Sequence, residues 1–463
     1  MRAEIGTTQS ALAAVVTLIA IGGPASPAAA QSAPRSRIDA DVAQIARSIR
    51  PASIRRDIET LVSFGTRNTM SAQNDPKFGI GAASRWIYAR FRAAARLAHG
   101  RMSVEMVRFI QPQGPRIPEP TPLTDVVAIL HGDDEGLNDR AYVMSGHYDS
   151  ICSNPVDSIT TAPGADDDGS GVAATLESAM ALAPYHFRAT IVFECVAGEE
   201  QGLYGSAYMA HRFKLAGARI DGVLNNDIIG GDPIYANGPW MRTVRLFAEG
   251  IASRLTPRQL AILRYAGAES DSPARELARW IAETANVYVP SPRVQLIFRT
   301  DRYLRSGDQV SYLDQGFPAV RFTESHENFH HQHQTPRIEN GVQYGDLPQF
   351  VNWRYAARVA RINAVSIAGL ARAPAAPAAA WVVARSLTND TTLRWQPSRS
   401  SNATGYEVIW RETTSPTWTH ARWAGSATSF TLRGISKDDF LFGVRAVSPH
   451  GRRSPVTFAM PGR

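Results

Sequence analysis

The 463-residue chain contains only two cysteines, Cys152 and Cys195, which excludes a scaffold built on several disulfide bonds. Both cysteines lie near the ends of predicted strands that could be neighbours in a sheet. Two interpretations therefore stay open, a single Cys152–Cys195 disulfide or two separate buried thiols. We expect the separate thiols, because free cysteine is commonly buried.

Dense basic blocks and internal repeats are also missing. The net charge is +7, but the arginines are spread along the chain, so we do not expect nucleic acid as a partner. A hydrophobic fraction of 44% and a charged fraction of 20% are typical of a globular protein. The length favours two domains.

The N-terminus carries the one long apolar segment. Arg2 is followed by the run "ALAAVVTLIAIGG" and then by small residues that end in "AAA". This layout predicts a signal peptide over residues 1–30, and hence a secreted or periplasmic protein without stable membrane insertion after cleavage. Glu4 is unusual in such a segment, so a retained anchor is the alternative, although the run is short for a membrane span.

Residues 31–370 alternate between strand and helix patterns. Apolar runs such as "TDVVAILHG", "AYVMSGHYDS" and "ATIVFECVAG" predict strands, and "GSGVAATLESAMALA" and "GSAYMAHRFKLAG" predict helices between strands. We therefore predict an α/β fold, a three-layer αβα sandwich with a mixed, centrally parallel sheet. Polar groups at the carboxyl ends of such strands line the ligand crevice.

The pattern changes after "ARAPAAPAAA", a Pro/Ala linker over residues 371–380. Residues 381–463 contain short β runs separated by turns, which predicts a small all-β immunoglobulin-like sandwich domain. The segments "LRW", "YEVIW" and "VRAVSPHGRRS", with Trp395 and Tyr406 as core aromatics, resemble a fibronectin type III domain. Contact with a surface or a glycan, or a spacer role, would suit this domain.

Five short polar segments carry the candidate chemistry, and the first two are "SGHYDS" and "PGADDDGSG". His147 and Asp149 are two residues apart on a strand, so they share a face, and the carboxylate can orient the imidazole. Three consecutive aspartates, Asp166 to Asp168, repel one another unless a cation neutralises them. A loop that binds calcium for structural reasons is the alternative to a catalytic metal site.

The other three segments are "GEEQGLYGS", "VLNNDIIGG" and "ESHENFHHQHQTPRIENG". Glu199 and Glu200 follow a buried run, where one could bind a metal while the other removes a proton from its water. Asp227 also follows an apolar strand. The last segment has four histidines within eight residues, which fits either a metal site or a surface loop: His326, His330, His331 and His333.

In this order, the segments resemble the co-catalytic zinc aminopeptidase family, which includes secreted bacterial leucyl aminopeptidases and relatives of glutamate carboxypeptidase II. The resemblance covers roughly residues 50–365. Its most specific marks are "GADDDGSG" and "GEEQGLYGS" in the right order. "RSGDQVSYLDQGFPAVRFTE" adds support because it is similar to the family's Ser-Asp-His segment.

The resemblance implies two zinc ions per chain, and oxygen ligands with two imidazoles and no thiolate suit zinc, with manganese or cobalt as workable substitutes. Asp167 would bridge the two ions, and its peptide bond to Asp168 would be cis. The remaining ligands would be His147 and Asp227 for one ion, and Glu200 and His333 for the other. Glu199 would be the general base and acid, and Asp149 would orient His147.

The implied activity is that of an exported exopeptidase, most simply an aminopeptidase acting on peptides. A carboxypeptidase or dipeptidase of the same fold, or a noncatalytic binding or adhesion protein, are the alternatives. Two departures from the family pattern bear on the site. Gln334 separates His333 from Thr335, which leaves His330 and His331 as rival ligands, and Gln309 stands where a histidine usually follows Asp308.

Overall fold

A computed structural model describes residues 34, 38–252, 254–385 and 387–462. The predicted signal peptide, residues 1–30, lies outside this part of the chain. Among the described residues, no helix is both long and apolar enough to cross a bilayer.

Proline and side-chain caps set several helix boundaries. Pro51 ends the first helical pattern and opens the second helix at a position where its missing N–H costs nothing. The Asp39 side chain accepts from backbone N–H groups at the start of the first helix. In the described chain the α-helices are α1 Ala40–Ser48, α2 Pro51–Val62, α3 Gly79–Leu97, α4 Gly169–Leu182, α5 Glu199–Gly202, α6 Tyr204–Leu215, α7 Pro257–Tyr265, α8 Pro273–Tyr288, α9 Gln309–Asp314 and α10 Trp353–Arg372.

The strands form one large sheet, a small two-stranded ribbon and a C-terminal all-β unit. In the described chain they are β1 Met102–Gln111, β2 Thr121–Leu130, β3 Ala141–His147, β4 Thr190–Val196, β5 Ile220–Asn226, β6 Thr243–Ala248, β7 Arg293–Ile297, β8 Ala319–Glu324, β9 Arg337–Glu339, β10 Val342–Tyr344, β11 Ala380–Val383, β12 Thr391–Trp395, β13 Gly405–Glu412, β14 His420–Gly425, β15 Ser429–Leu432, β16 Phe440–Val447 and β17 Thr457–Gly462.

The large sheet has the order β1-β2-β4-β3-β5-β8-β6-β7. Its centre is parallel, because β4, β3, β5 and β8 run in the same direction. The pairs β1–β2, β2–β4 and β6–β8 are antiparallel, so the sheet is mixed. The predicted α/β fold with a mixed, centrally parallel sheet is confirmed.

Helices cover both faces of this sheet and make three layers. Tyr142 and Met144 of β3 pack in one core cluster, whereas Val143 packs in a second cluster that contains residues of α6 and α9. Successive strand residues point to opposite faces, which explains the division. The first cluster also contains residues of α4 and α10, so the central strands are buried on both sides.

The C-terminal strands form the predicted all-β sandwich. One group pairs in the order β11-β12-β15, and the other in the order β14-β13-β16-β17. A parallel pairing of β11 with β17 connects the two groups. Trp395 and Tyr406 lie in the core between them, with ring centroids 5.5 Å apart. Assignment to the fibronectin type III class, and the division of the chain at residues 371–380, stay predictions.

Buried charges attach the all-β unit to the α/β unit. Arg411 of β13 donates to both carboxylate oxygens of Asp271 at 2.8 Å. Arg279 of α8 donates to the same carboxylate at 3.1 Å. The Trp418 indole donates to Glu276 at 2.8 Å. The four charged side chains are almost fully buried and Trp418 is half-buried, so the two units share a buried polar interface.

We expect Asp271→Ala to lower the free energy of unfolding by about 3–5 kcal/mol, the usual cost of removing one partner from a buried ion pair. The substitution leaves the buried guanidinium groups of Arg411 and Arg279 without the Asp271 carboxylate. Urea denaturation measures the change. The control is Asp438→Ala on the exposed surface of the same unit, for which we expect a change within about 0.5 kcal/mol. An equally small change for Asp271→Ala would contradict a structural role for this interface.

Cys152 and Cys195 are both free and buried. The disulfide alternative is therefore wrong, and the expectation of two separate thiols is confirmed. Burial raises the pKa of the Cys195 thiol well above its ordinary value, and nearby carboxylates add to the effect.

Candidate metal centre

The candidate site lies at the carboxyl ends of the parallel strands. His147 is the last residue of β3, and Asp227 follows directly after β5. Glu199 and Glu200 open α5, three residues after β4 ends. Because β4, β3 and β5 are adjacent and parallel, these side chains meet at the same edge of the sheet.

The acidic loop before α4 contributes Asp167. The Asp168 side chain turns to the backbone instead, accepting from the N–H of Gly171 at 2.9 Å, and so caps α4. Asp166 Oδ1 accepts from the N–H of Gly230 at 2.6 Å. Of the three aspartates, Asp167 is the one that lines the cleft. The Asp167–Asp168 peptide bond is cis, as the resemblance implies.

The two carboxylate oxygens of Asp167 face two different histidines. Oδ1 lies 3.2 Å from His147 Nε2, and Oδ2 lies 2.9 Å from His333 Nε2. A carboxylate in this position can offer one oxygen to each of two cations. This is the geometry expected of a bridging ligand.

His333 also lies 3.1 Å from Glu200 Oε2. The rival histidines are engaged elsewhere. His331 Nδ1 lies 2.8 Å from Asp232 Oδ2, and the His331 ring stacks on Phe350 with centroids 3.6 Å apart. His330 packs against Tyr344. The structure therefore brings His333, rather than His330 or His331, to the predicted ligands.

Asp149 connects His147 to the glutamate pair. His147 Nδ1 lies 3.5 Å from Asp149 Oδ1 and 3.2 Å from the Asp149 carbonyl oxygen. The Asp149 carboxylate also accepts from the N–H of Glu199 at 3.3 Å and of Glu200 at 3.1 Å. One buried side chain thus fixes both the imidazole and the start of α5.

Asp227 has a partner that the sequence does not reveal. Arg321, a fully buried residue of β8, places Nη2 2.9 Å from Asp227 Oδ1. The same guanidinium contacts Asp301 Oδ2 at 2.9 Å. Arg321 therefore holds the Asp227 carboxylate in place while leaving its second oxygen for another partner.

The pKa values of the candidate metal ligands are strongly shifted when no cation is bound. Burial alone would lower the pKa of His147, but the surrounding carboxylates, Glu199 foremost, raise it well above its ordinary value. The Glu200 carboxylate raises the pKa of His333 well above its ordinary value, against the effect of burial. Burial would raise the pKa of Asp167, yet the close contacts with the two imidazoles hold it well below its ordinary value. Two imidazolium groups thus supply the positive charge that these carboxylates require.

The residues fit divalent zinc. His147 Nε2 and Glu200 Oε1 are buried and form no hydrogen bond with any residue that the structure describes. Ligand atoms of His147, Asp167 and Glu200 lie within 4.8 Å of one another, and so do those of His147, Glu199 and Asp227. Imidazole nitrogens and carboxylate oxygens without thiolates are a donor set that zinc accepts.

Asp346 and Arg67 support the acidic loop, and sequence reasoning missed both. Asp346 accepts from the N–H of Asp166 at 2.9 Å and of Asp167 at 2.7 Å. Arg67 donates to the carbonyls of Pro163 at 2.6 Å and of Gly164 at 2.8 Å. Neither residue stands in a recognisable motif, and both contact backbone groups far away in sequence, so no local signal identifies them.

Gln309, the departure from the family pattern, points away from the cleft. Its amide donates to Asp301 Oδ2 at 2.7 Å and belongs to the same buried network as Arg321. Asp308 beside it is fully buried, and its two carboxylate oxygens make no hydrogen bond within the described chain. Burial raises the pKa of Asp308 to about 7.

The chain is similar to known peptidases. Residues 125–345 match the family model for peptidase family M28. A probable zinc metalloprotease of Leptosphaeria maculans is 44% identical over 430 residues, covering 93% of this chain and 98% of that protein. A probable zinc metalloprotease of Pyricularia oryzae is 44% identical over 430 residues, covering 92% of this chain and 85% of that protein.

Two solved structures share the fold. The Legionella pneumophila LapA aminopeptidase superimposes with a TM-score of 0.51 at 18% identity, covering 74% of this chain and 77% of that chain. LapB of the same organism gives a TM-score of 0.51 at 21% identity, covering 73% and 77%. From the family match and from relatives that share 44% identity over nearly the whole length, we conclude that this chain belongs to peptidase family M28.

Proposed function

We propose that the protein is an exported zinc-dependent aminopeptidase that removes N-terminal residues from peptides. The observation that carries the proposal is a chain of contacts in which Asp167 meets both His147 and His333, and His333 also meets Glu200. The two relatives are described as probable zinc metalloproteases, and a solved structure with this fold is described as an aminopeptidase. Both descriptions fit the donor set.

Two zinc ions would be held by five side chains in this proposal. Asp167 would offer one oxygen to each ion, His147 and Asp227 would complete one set, and Glu200 and His333 would complete the other. Because imidazole must be neutral to bind a metal, zinc binding would displace protons from both histidines. Zinc affinity should therefore fall as the solution becomes more acidic.

Glu199 would transfer the proton in this proposal. Its carboxylate lines the cleft, and Oε2 lies 4.0 Å from His147 Nε2. Burial raises the pKa of Glu199 well above its ordinary value, and the carboxylates of Asp227 and Glu200 add to the effect. A raised pKa favours a group that both accepts and returns a proton near neutral pH.

Bound zinc would supply an activated water and a polarised scissile carbonyl. Glu199 would accept a proton from the attacking water at a carboxylate oxygen and then donate it to the nitrogen of the leaving amine. Asp149 acts through other residues. By contacting His147 and the N–H groups of Glu199 and Glu200, it would fix the positions of the His147 imidazole and the Glu199 carboxylate relative to each other.

The first experiment measures release of free amino acid from aminoacyl reporter substrates by the purified full-length protein. We expect hydrolysis that a strong chelator abolishes and that added zinc restores. Amino-blocked versions of the same substrates serve as the control, and we expect little release from them. Preferential cleavage of the blocked peptides from their carboxyl end would instead identify a carboxypeptidase. An absence of any turnover, together with calcium and no zinc on metal analysis, would favour a binding protein.

A further inference from the structure

Three arginines line the cleft beside the candidate metal centre. The cleft has a volume of about 290 Å³, at the small end for ligand sites. Its acidic residues all belong to the metal centre: Asp167, Glu199, Glu200 and Asp227. Its basic residues, besides His333, are Arg116, Arg302 and Arg305. A small cleft with this lining selects ligands by charge.

Arg302 and Arg305 both contact the carboxylate of Glu327, which Arg245, a residue outside the cleft lining, also contacts. The Nη1 atoms of Arg302 and Arg305 each lie 2.8 Å from Glu327 Oε2, and Arg245 contacts Glu327 Oε1 at 2.5 Å. A single buried carboxylate therefore faces three guanidinium groups. The positive charge of this cluster exceeds the charge that Glu327 can neutralise.

Asp301, the other carboxylate near this cluster, is already engaged. It lies 3.2 Å from Arg302 Nε, but it also accepts two hydrogen bonds from the buried Arg321. Arg321 in turn contacts Asp227. Asp301 therefore belongs to the network behind the metal centre and leaves the excess charge on the cleft side.

Arg116 belongs to the β1–β2 connection and comes from a different part of the chain. Its Nη1 donates to the backbone carbonyl of Glu200 at 2.8 Å. No carboxylate contacts the Arg116 guanidinium among the residues that the structure describes. This side chain is therefore fixed next to the metal centre with further N–H groups available.

Burial separates Arg302 and Arg305 from ordinary surface charges, whereas Arg116 is exposed. The side chains of Arg302 and Arg305 are 10% and 32% exposed. Partly desolvated guanidinium groups bind anions more strongly than fully hydrated ones, and their planar fork matches a carboxylate. A general role in steering charged molecules would not require such enclosure.

We propose that Arg116, Arg302 and Arg305 bind a carboxylate of the peptide substrate, so that the enzyme prefers peptides with a negative charge next to the scissile bond. The inference rests on the proposed peptidase function and adds its substrate class. The carboxylate has two sources, an aspartate or glutamate side chain or the free C-terminus of a short peptide. The chemistry of recognition is the same for both.

Three matched pairs of peptides separate these sources. Glu-Ala-amide against Gln-Ala-amide tests an acidic side chain at the N-terminal residue, and Leu-Glu-amide against Leu-Gln-amide tests the next residue. Leu-Gly against Leu-Gly-amide tests the free C-terminus. We expect the carboxylate member of at least one pair to have a kcat/KM at least about tenfold higher, the size of a charge-assisted hydrogen bond. Added salt should reduce this preference.

Arginine variants test whether the preference arises in the cleft. We expect Arg305→Gln and Arg116→Gln each to reduce the carboxylate-to-amide ratio by about 10- to 100-fold. Arg212→Gln is the control, because it removes the same charge from an exposed side chain of α6 paired with Glu105. We expect that variant to keep the wild-type ratio.

Binding measurements distinguish failure of the inference from failure of the proposed function. Calorimetric titration of the zinc-loaded Glu199→Gln variant with both members of each pair should show the carboxylate member binding at least about tenfold more tightly. Equal kcat/KM values and equal affinities within all three pairs would overturn the inference while leaving peptidase activity intact. If no peptide is cleaved, the proposed function fails, and the titrations still decide whether the arginines bind a carboxylate.

Discussion

Glu199→Gln should lower kcat by about 10²- to 10⁴-fold, the usual contribution of a positioned general acid–base group. The amide keeps the size and the backbone hydrogen bond of Glu199 but cannot carry the proton. Zinc content, measured by mass spectrometry, and the free energy of unfolding should stay near the wild-type values. The loss should therefore appear in kcat rather than in metal binding.

Glu194→Gln is the matched control for this prediction. Glu194 is a fully buried residue of β4 that accepts a hydrogen bond from the Tyr312 hydroxyl, and it does not line the cleft. Burial raises its pKa to about 8, so the side chain is mainly neutral at pH 7 and the amide is a close substitute. We expect kcat close to wild type. Full activity of Glu199→Gln would show that another group transfers the proton.

Asp167→Asn should have the second large effect, lowering activity by about 10³-fold or more, because metal ions contribute several kcal/mol of transition-state stabilisation. Each Asp167 oxygen faces a different imidazole, at 3.2 Å and 2.9 Å. An asparagine offers one neutral oxygen, and its NH₂ group cannot bind a cation. We therefore expect the bound zinc, measured after dialysis against metal-free buffer, to fall below two ions per chain.

Asp166→Asn provides the control within the same loop. Asp166 Oδ1 accepts from the N–H of Gly230, a hydrogen bond that an asparagine oxygen can preserve. We expect this variant to retain more zinc than Asp167→Asn. If both variants kept the wild-type zinc content, the assignment of Asp167 as the bridging ligand would be wrong.

The sequence was sufficient to predict the residues that end strands. His147 and Asp227 follow apolar runs, and parallel strands bring their carboxyl ends to one edge of a sheet. The Glu199–Glu200 pair stands out because two adjacent carboxylates after a buried strand require compensation. Strand and helix periodicity thus led to both the fold class and the positions of these side chains.

Other parts of the site depend on contacts that no local pattern encodes. Asp346 reaches the backbone of Asp167 across 179 positions, and Arg321 reaches Asp227 from a neighbouring strand. Arg116 and Arg305 come from two loops that are far apart in sequence, and both line the cleft. An arginine in a loop usually remains hydrated at the surface, so sequence context does not distinguish the partly buried Arg305 from an ordinary surface arginine.

The identity of the ligand histidine also depends on contacts that no local sequence pattern encodes. Spacing left His330, His331 and His333 as candidates, because a loop has no periodicity that indicates which way each side chain points. In the structure, His331 pairs with Asp232, whereas His333 has a positive φ of 53° and reaches Asp167 and Glu200. Tertiary contacts of the loop, rather than its composition, select the side chain that faces the carboxylates.

The most direct measurement is anomalous diffraction from crystals of the zinc-loaded protein, recorded on both sides of the zinc absorption edge. We predict two zinc peaks separated by the Asp167 carboxylate, one within about 2.0–2.2 Å of ligand atoms of His147 and Asp227 and the other of Glu200 and His333. A single peak, or peaks at other residues, would contradict the two-metal centre on which the proposed activity depends.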